Sequence, residues 1–206
     1  MPIAAPEALR RLRDGNRRFA SGVRSAEGLS SLTRRAELVT GQEPLAIVLG
    51  CSDSRVPAEI VFDQGLGDLF VIRVAGNVVA PSQIASVEFA ADRFATRLVV
   101  VLGHSQCGAV TATLEELRRP NDAHSQSLRS IVGRIRPSVE GLLATDLAKD
   151  EGALLREAVR ANVRASANQL RHGSELIERL AERDGLLVVG AEYSLESGAV
   201  DVFDGV

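Results

Sequence analysis

Cys51, Asp53 and Arg55 stand at alternate positions in VLGCSDSRV (48–56), directly after an apolar run. In an extended chain, residues two apart face the same way. A thiol, a carboxylate and a guanidinium are therefore expected along one side of a strand end. A second run, RLVVVLG (97–103), is followed by His104 and Cys107 in HSQCG. His-x-x-Cys across a tight turn lets both side chains reach one point, where Cys51 can join them from a neighbouring strand. Two thiolates and an imidazole suit zinc better than magnesium or calcium. Three protein ligands leave a fourth coordination position for chemistry. Cys107 also precedes an expected helix start at Gly108, where the helix dipole favours a thiolate. Blander readings compete. A buried cysteine can be a small hydrophobe and a buried histidine a satisfied core residue. Asp53 and Arg55 can be a surface pair of little energetic weight. Cys51 and Cys107 can be a redox pair, although Cys-x-x-Cys spacing is absent.

These residues must be held by a sheet. Four apolar, β-branched segments read as strands: LAIVLG (45–50), LFVIRV (69–74), RLVVVLG (97–103) and LLVVGAEY (186–193). Helical spacing occupies 6–20, 82–95, 108–119 and one long stretch over 151–184, while 118–127 reads as the clearest loop. A turn at Ser197-Gly198 leads to an expected edge strand at 199–203. Continuous apolar strands separated by helices predict an α/β fold, a mostly parallel sheet covered on both faces. In such sheets functional groups gather at the carboxyl ends of strands, where both cysteines fall.

At 206 residues the chain reads as one domain, 1–206, with a helical arm over 1–40. Lys+Arg 24 against Asp+Glu 27 gives a net charge of −3, which argues against a nucleic-acid surface or a polybasic membrane patch. Aromatics are 3% of residues and Trp is absent, so base-stacking platforms are excluded. No window approaches a membrane span or a signal-peptide core. A cytoplasmic protein with reduced thiols is the expectation.

The motifs CSDSRV (51–56) and GHSQCG (103–108) resemble those of the β-class carbonic anhydrases. DGNRRFASG (14–22), GDLFVIRVAGN (67–77) and VVGAEYSLESG (189–198) also look like family segments, and the resemblance is weakest over 118–150. It implies one Zn2+ per chain on Cys51, His104 and Cys107, with Asp53 and Arg55 as a catalytic pair beside it. It implies a carbon dioxide/bicarbonate pocket that includes Gln42, Phe70, Ala75, Phe89 and Gly108, part of it contributed across a subunit interface. It implies a homodimer or homotetramer, with residues 1–40 packing on a partner subunit. His124 and His172 match no motif position and read as solvated surface residues.

The implied reaction is attack of zinc-bound hydroxide on carbon dioxide, with Asp53 orienting the hydroxide and Arg55 anchoring Asp53 through a forked pair. Some relatives carry a second, inhibitory bicarbonate pocket built on a Trp, an Arg and a Tyr. Arg73 and Tyr193 match, but Val48 takes the Trp position, so that pocket is not expected. The same site could instead hydrolyse carbonyl sulfide or carbon disulfide. A bicarbonate-sensing zinc protein or a thiol redox protein are the alternatives outside those enzymes, and intact Asp53 and Arg55 argue against a purely structural zinc.

Overall fold

The computed structural model describes residues 3–23, 32–119 and 125–206. Its centre is a five-stranded sheet: β1 (Ala46–Gly50), β2 (Leu69–Arg73), β3 (Leu98–His104), β4 (Leu187–Tyr193) and β5 (Val200–Asp204). The spatial order is β2-β1-β3-β4-β5. The first four strands run parallel, and β5 pairs antiparallel with β4 as the edge strand.

The strands read as unbroken apolar runs because both faces are buried. Val48, Leu98, Val100 and Leu102 face one way, onto α1 (Ala5–Ala20) and α3 (Ala58–Val61). Ile47, Leu49, Val99 and Val101 face the other way, onto α4 (Pro81–Arg93), α7 (Glu151–His172) and α8 (Glu175–Arg183). A third cluster lies beyond the carboxyl ends of the strands. There α5 (Gly108–Arg118), α6 (Gln126–Val139) and α7 enclose Cys51, Cys107 and Val78.

Several boundaries differ from those the sequence predicts. The stretch 151–184 is two helices, because Gly173 and Ser174 interrupt it. A Cβ at Gly173 would collide with the Gln169 carbonyl, and the Ser174 hydroxyl caps the new helix by accepting from the Ile177 N–H. The expected loop at 118–127 is shorter, since α5 runs to Arg118 and α6 begins at Gln126. Residues 120–124, with His124, lie outside the described residues. Helix α6 was not read from the sequence: Gly133 and Pro137 interrupt its pattern, yet it buries Val132, Ile135 and Val139.

Helix α1 lies on its own sheet. Leu9 and Leu12 are buried there, and Gly15 sits so close to the Phe62 carbonyl that a Cβ would clash. Asn16 donates to the carbonyls of Val61 and Gly198 and accepts from the Val200 N–H. By contrast α2 (Leu32–Glu37) buries none of its residues, and Leu32 and Val39 face solvent. No helix among the described residues is long and apolar enough to cross a membrane.

Candidate metal centre

Strand order 2-1-3-4 has its switch point between β1 and β3, where the crossovers leave in opposite directions and a crevice opens at the carboxyl ends. Cys51 follows β1, His104 ends β3, and Cys107 caps the start of α5. Their ligand atoms all lie within 4.8 Å of one another, and all three residues are buried. The turn that brings His104 and Cys107 together puts Gln106 in the left-handed region, at φ 56°. It is tied to the loop after β4 by Ser105, whose N–H donates to the Tyr193 carbonyl and whose hydroxyl accepts from the Leu195 N–H.

The imidazole is oriented for coordination. Its Nδ1 lies 2.9 Å from the Ser105 carbonyl and serves as donor there, which leaves Nε2 as the lone-pair nitrogen. That Nε2 is buried with no hydrogen-bond partner. A buried nitrogen that faces two thiols, with the Asp53 carboxylate beyond hydrogen-bond range at 3.9 Å, fits a cation.

The charges agree. The Cys107 thiol hydrogen-bonds to Cys51, and with His104 and backbone N–H groups it holds Cys51 well below the ordinary thiol range. That same pairing, aided by burial, pushes Cys107 up. Burial alone would lower the His104 pKa, but the Cys51 thiolate beside it outweighs burial and raises it. The cluster thus holds protons where a divalent ion can replace them. Both cysteines are free thiols.

Asp53 and Arg55 come together by a turn and not by the pleat of a strand. β1 ends at Gly50, and the Val56 N–H closes a turn onto the Asp53 carbonyl. Arg55 then grips Asp53 twice, Nε to Oδ1 at 2.9 Å and Nη2 to Oδ2 at 2.8 Å, while its own N–H donates to Oδ1. This fork holds the Asp53 carboxyl well below the usual carboxylate range. Asp53 Oδ2 lies 3.9 Å from His104 Nε2, so the carboxylate borders the three donors while turned to Arg55.

The sequence matches Arg73 only to the inhibitory pocket that is not expected here, and gives it no place at the metal donors. Arg73 donates to the carbonyls of Cys51 (3.0 Å) and Asp53 (2.6 Å), and so splints the loop that carries both. Its place at the end of β2, register-paired with Gly50, is what allows this. Val48 is wholly buried on the opposite side of β1 from Leu49, within the core that also contains Tyr193.

Two of the five expected pocket residues adjoin the cluster. Ala75 precedes Gly76, whose N–H donates to Cys51 Sγ at 3.3 Å, and Gly108 follows Cys107. The other three lie elsewhere in this chain. Gln42 lines a cavity with Leu45, Phe94 and Thr96, at the amino ends of β1 and β3. Phe70 pairs in register with Ile47, four positions before Cys51, or roughly 13 Å along the strand. Phe89 joins Phe70 and Phe94 in an aromatic cluster with centroids 5.7–6.2 Å apart, yet it is 55% exposed. His172 is exposed, 3.6 Å from Glu178 and away from the metal donors.

Comparison with known proteins adds a consistent picture. A family model described as carbonic anhydrase matches residues 46–200. The carbonic anhydrase of Mycolicibacterium smegmatis is 40% identical over 208 residues, covering 98% of this chain and 93% of the relative. Among solved structures, the β-carbonic anhydrase CafA of Aspergillus fumigatus superposes with a TM-score of 0.74 at 26% identity, over 98% of this chain and 91% of that one. A tetrameric β-carbonic anhydrase of Sordaria macrospora superposes with a TM-score of 0.73 at 25% identity, over 82% of this chain and 85% of that one.

Proposed function

The chain belongs to the β-class carbonic anhydrases, enzymes that hydrate carbon dioxide, and we propose that it does so with one zinc ion per chain on Cys51, His104 and Cys107. The reading rests on one observation: three buried donors within 4.8 Å of one another, one of them an imidazole nitrogen with no other partner. Held by these three residues, zinc would supply a Lewis acid that makes water a nucleophile toward carbon dioxide.

The side chains do the rest. Asp53 stays ionised under the Arg55 fork and is placed to accept a hydrogen bond from a water at the cluster, which would orient that oxygen toward the substrate. Arg55 keeps that carboxylate off the metal donors, and Arg73 fixes the loop that presents it. Ala75 and Gly108 are read as part of the substrate pocket, and the space beside Gly108 is open, since a Cβ there would meet nothing within 4 Å. Gln42, Phe70 and Phe89 are read as completing the pocket of a second copy, in a homodimer or homotetramer. In the arm over 1–40, α1 buries one face on its own sheet, so contact with a partner is read for its outer face and for α2, which buries nothing. The tetrameric relative supports this assembly. The 206 residues are read as one domain that works in the cytoplasm.

Elemental analysis paired with stopped-flow carbon dioxide hydration tests the reading. Wild type is expected to carry one zinc per chain, and Cys51→Ala to lose most of the metal and essentially all activity. Full zinc in Cys51→Ala would overturn the ligand assignment.

A further inference from the structure

We propose that Asn162, on the inward face of α7, is a positioning residue for the metal centre, acting on Cys51 through the backbone of Gly76. The inference rests on the metal reading above and goes beyond it.

Asn162 is a buried amide in the middle of a helix face whose other buried residues are apolar except for Ser166, one turn further on. Its Nδ2 donates to the Gly76 carbonyl at 2.8 Å, and the Gly76 N–H donates to Cys51 Sγ at 3.3 Å. One residue therefore links the helix to the thiolate. Gly76 is suited to this because it has φ 67°, ψ 21°, a conformation glycine adopts without strain. A Cβ there would also meet Ile135 Cδ1 at 2.8 Å and Ala109 Cβ at 3.0 Å, from α6 and α5. Packing and the Asn162 bond together hold the Gly76 backbone, and with it the direction of its N–H, in one conformation. Hydrogen bonds from second-layer groups orient metal ligands and tune their electron donation. An N–H directed at a thiolate withdraws charge from sulfur, leaving a more electrophilic metal.

The cobalt-substituted protein reads this directly, because thiolate-to-metal charge-transfer absorption follows the energy of the sulfur lone pairs. Asn162→Leu removes the donor at similar volume, and Asn162→Asp removes it at nearly unchanged shape. Both are expected to move the charge-transfer band to longer wavelength and to weaken zinc binding by about tenfold in competition with a chelator. Leu170→Ala, two turns further along α7, removes buried apolar volume and serves as the packing control. It is expected to lower thermal stability without moving the band. In the cadmium-113 form of the wild type, scalar coupling between the metal and the Gly76 amide proton is expected through the N–H···S bond.

Variants whose band and zinc affinity match wild type would overturn the proposal and leave Asn162 a packing residue. Absence of the cadmium coupling would overturn it even if the variants fail to fold. A wild type that takes up none of these metals would overturn the metal reading, and this one with it.

Discussion

At the scale of single residues, the Asp53–Arg55 fork would, under the proposed mechanism, separate two jobs that a lone carboxylate beside a metal would confuse. An unrestrained Asp53, 3.9 Å from His104 Nε2, could bind the ion itself and block the open position. Arg55→Ala is expected to cut hydration about ten- to a hundredfold near neutral pH. Partial recovery in alkaline solution should follow, where hydroxide competes better with the freed carboxylate. A flat pH–rate profile for that variant would contradict this division of labour. The fork also has a stability consequence. Asp53 has its folded pKa depressed below the ordinary aspartate value of 3.8 by the Arg55 fork. Its stabilising contribution is therefore present above pH 3.8 and is lost as pH falls below it. Asp53→Asn is expected to make denaturant stability fall less steeply in that acid window, measured by urea titrations at several pH values.

Among elements, the contact between β3 and α7 decides how well the site is held. Gly103, one residue before His104, lies directly under Val163, and a Cβ there would collide with the Val163 side chain. Gly103→Ala is expected to cost about 1–3 kcal/mol by overpacking and to reduce zinc content as His104 shifts. Adding Val163→Ala should return part of both losses, and a double-mutant cycle measures the coupling. Much of this layer could be read from the chain alone. The strands announce themselves because burial on both faces leaves only apolar residues in them. His104 and Cys107 are visible because a short turn fixes their spacing. The break between α7 and α8 has a local signal, Gly-Ser before Glu, which the continuing helical period masks. Helix α6 is obscured by its internal glycine and proline, which packing of Ile135 and Val139 overrides. Asn162 and Arg73 have no local signal. Their roles depend on where α7 and the end of β2 come to rest against the β1 loop, which no spacing rule encodes.

For the whole molecule, the division between residues at the metal donors and residues far from them predicts two separable properties. The candidate metal donors come from one chain, whereas at the other end of the strands Gln42 and Phe94 line a cavity with the exposed Leu66 and Val39, and Phe94 packs against Phe70 and the exposed Phe89. Placing a charge in that patch with Phe89→Asp is expected to yield monomers in sedimentation. These should retain about one zinc per chain but lose at least about tenfold in hydration, since aromatic anchors carry much of an interface's energy. Fully active monomers would contradict a pocket shared between subunits. The placement of the donors on two neighbouring parallel strands also sets a clock on maturation. His104 and Cys107 are close in sequence and can grip an ion on a chain that has barely begun to fold. Cys51 reaches them only after β1 has paired with β3, a long-range parallel pairing of the slow kind. If the site takes metal as proposed, a newly made chain would begin with a two-donor hook from which metal exchanges freely. Closing the sheet would convert that loose hold into a clasp, and release of the ion would then compete with the stability of the fold itself.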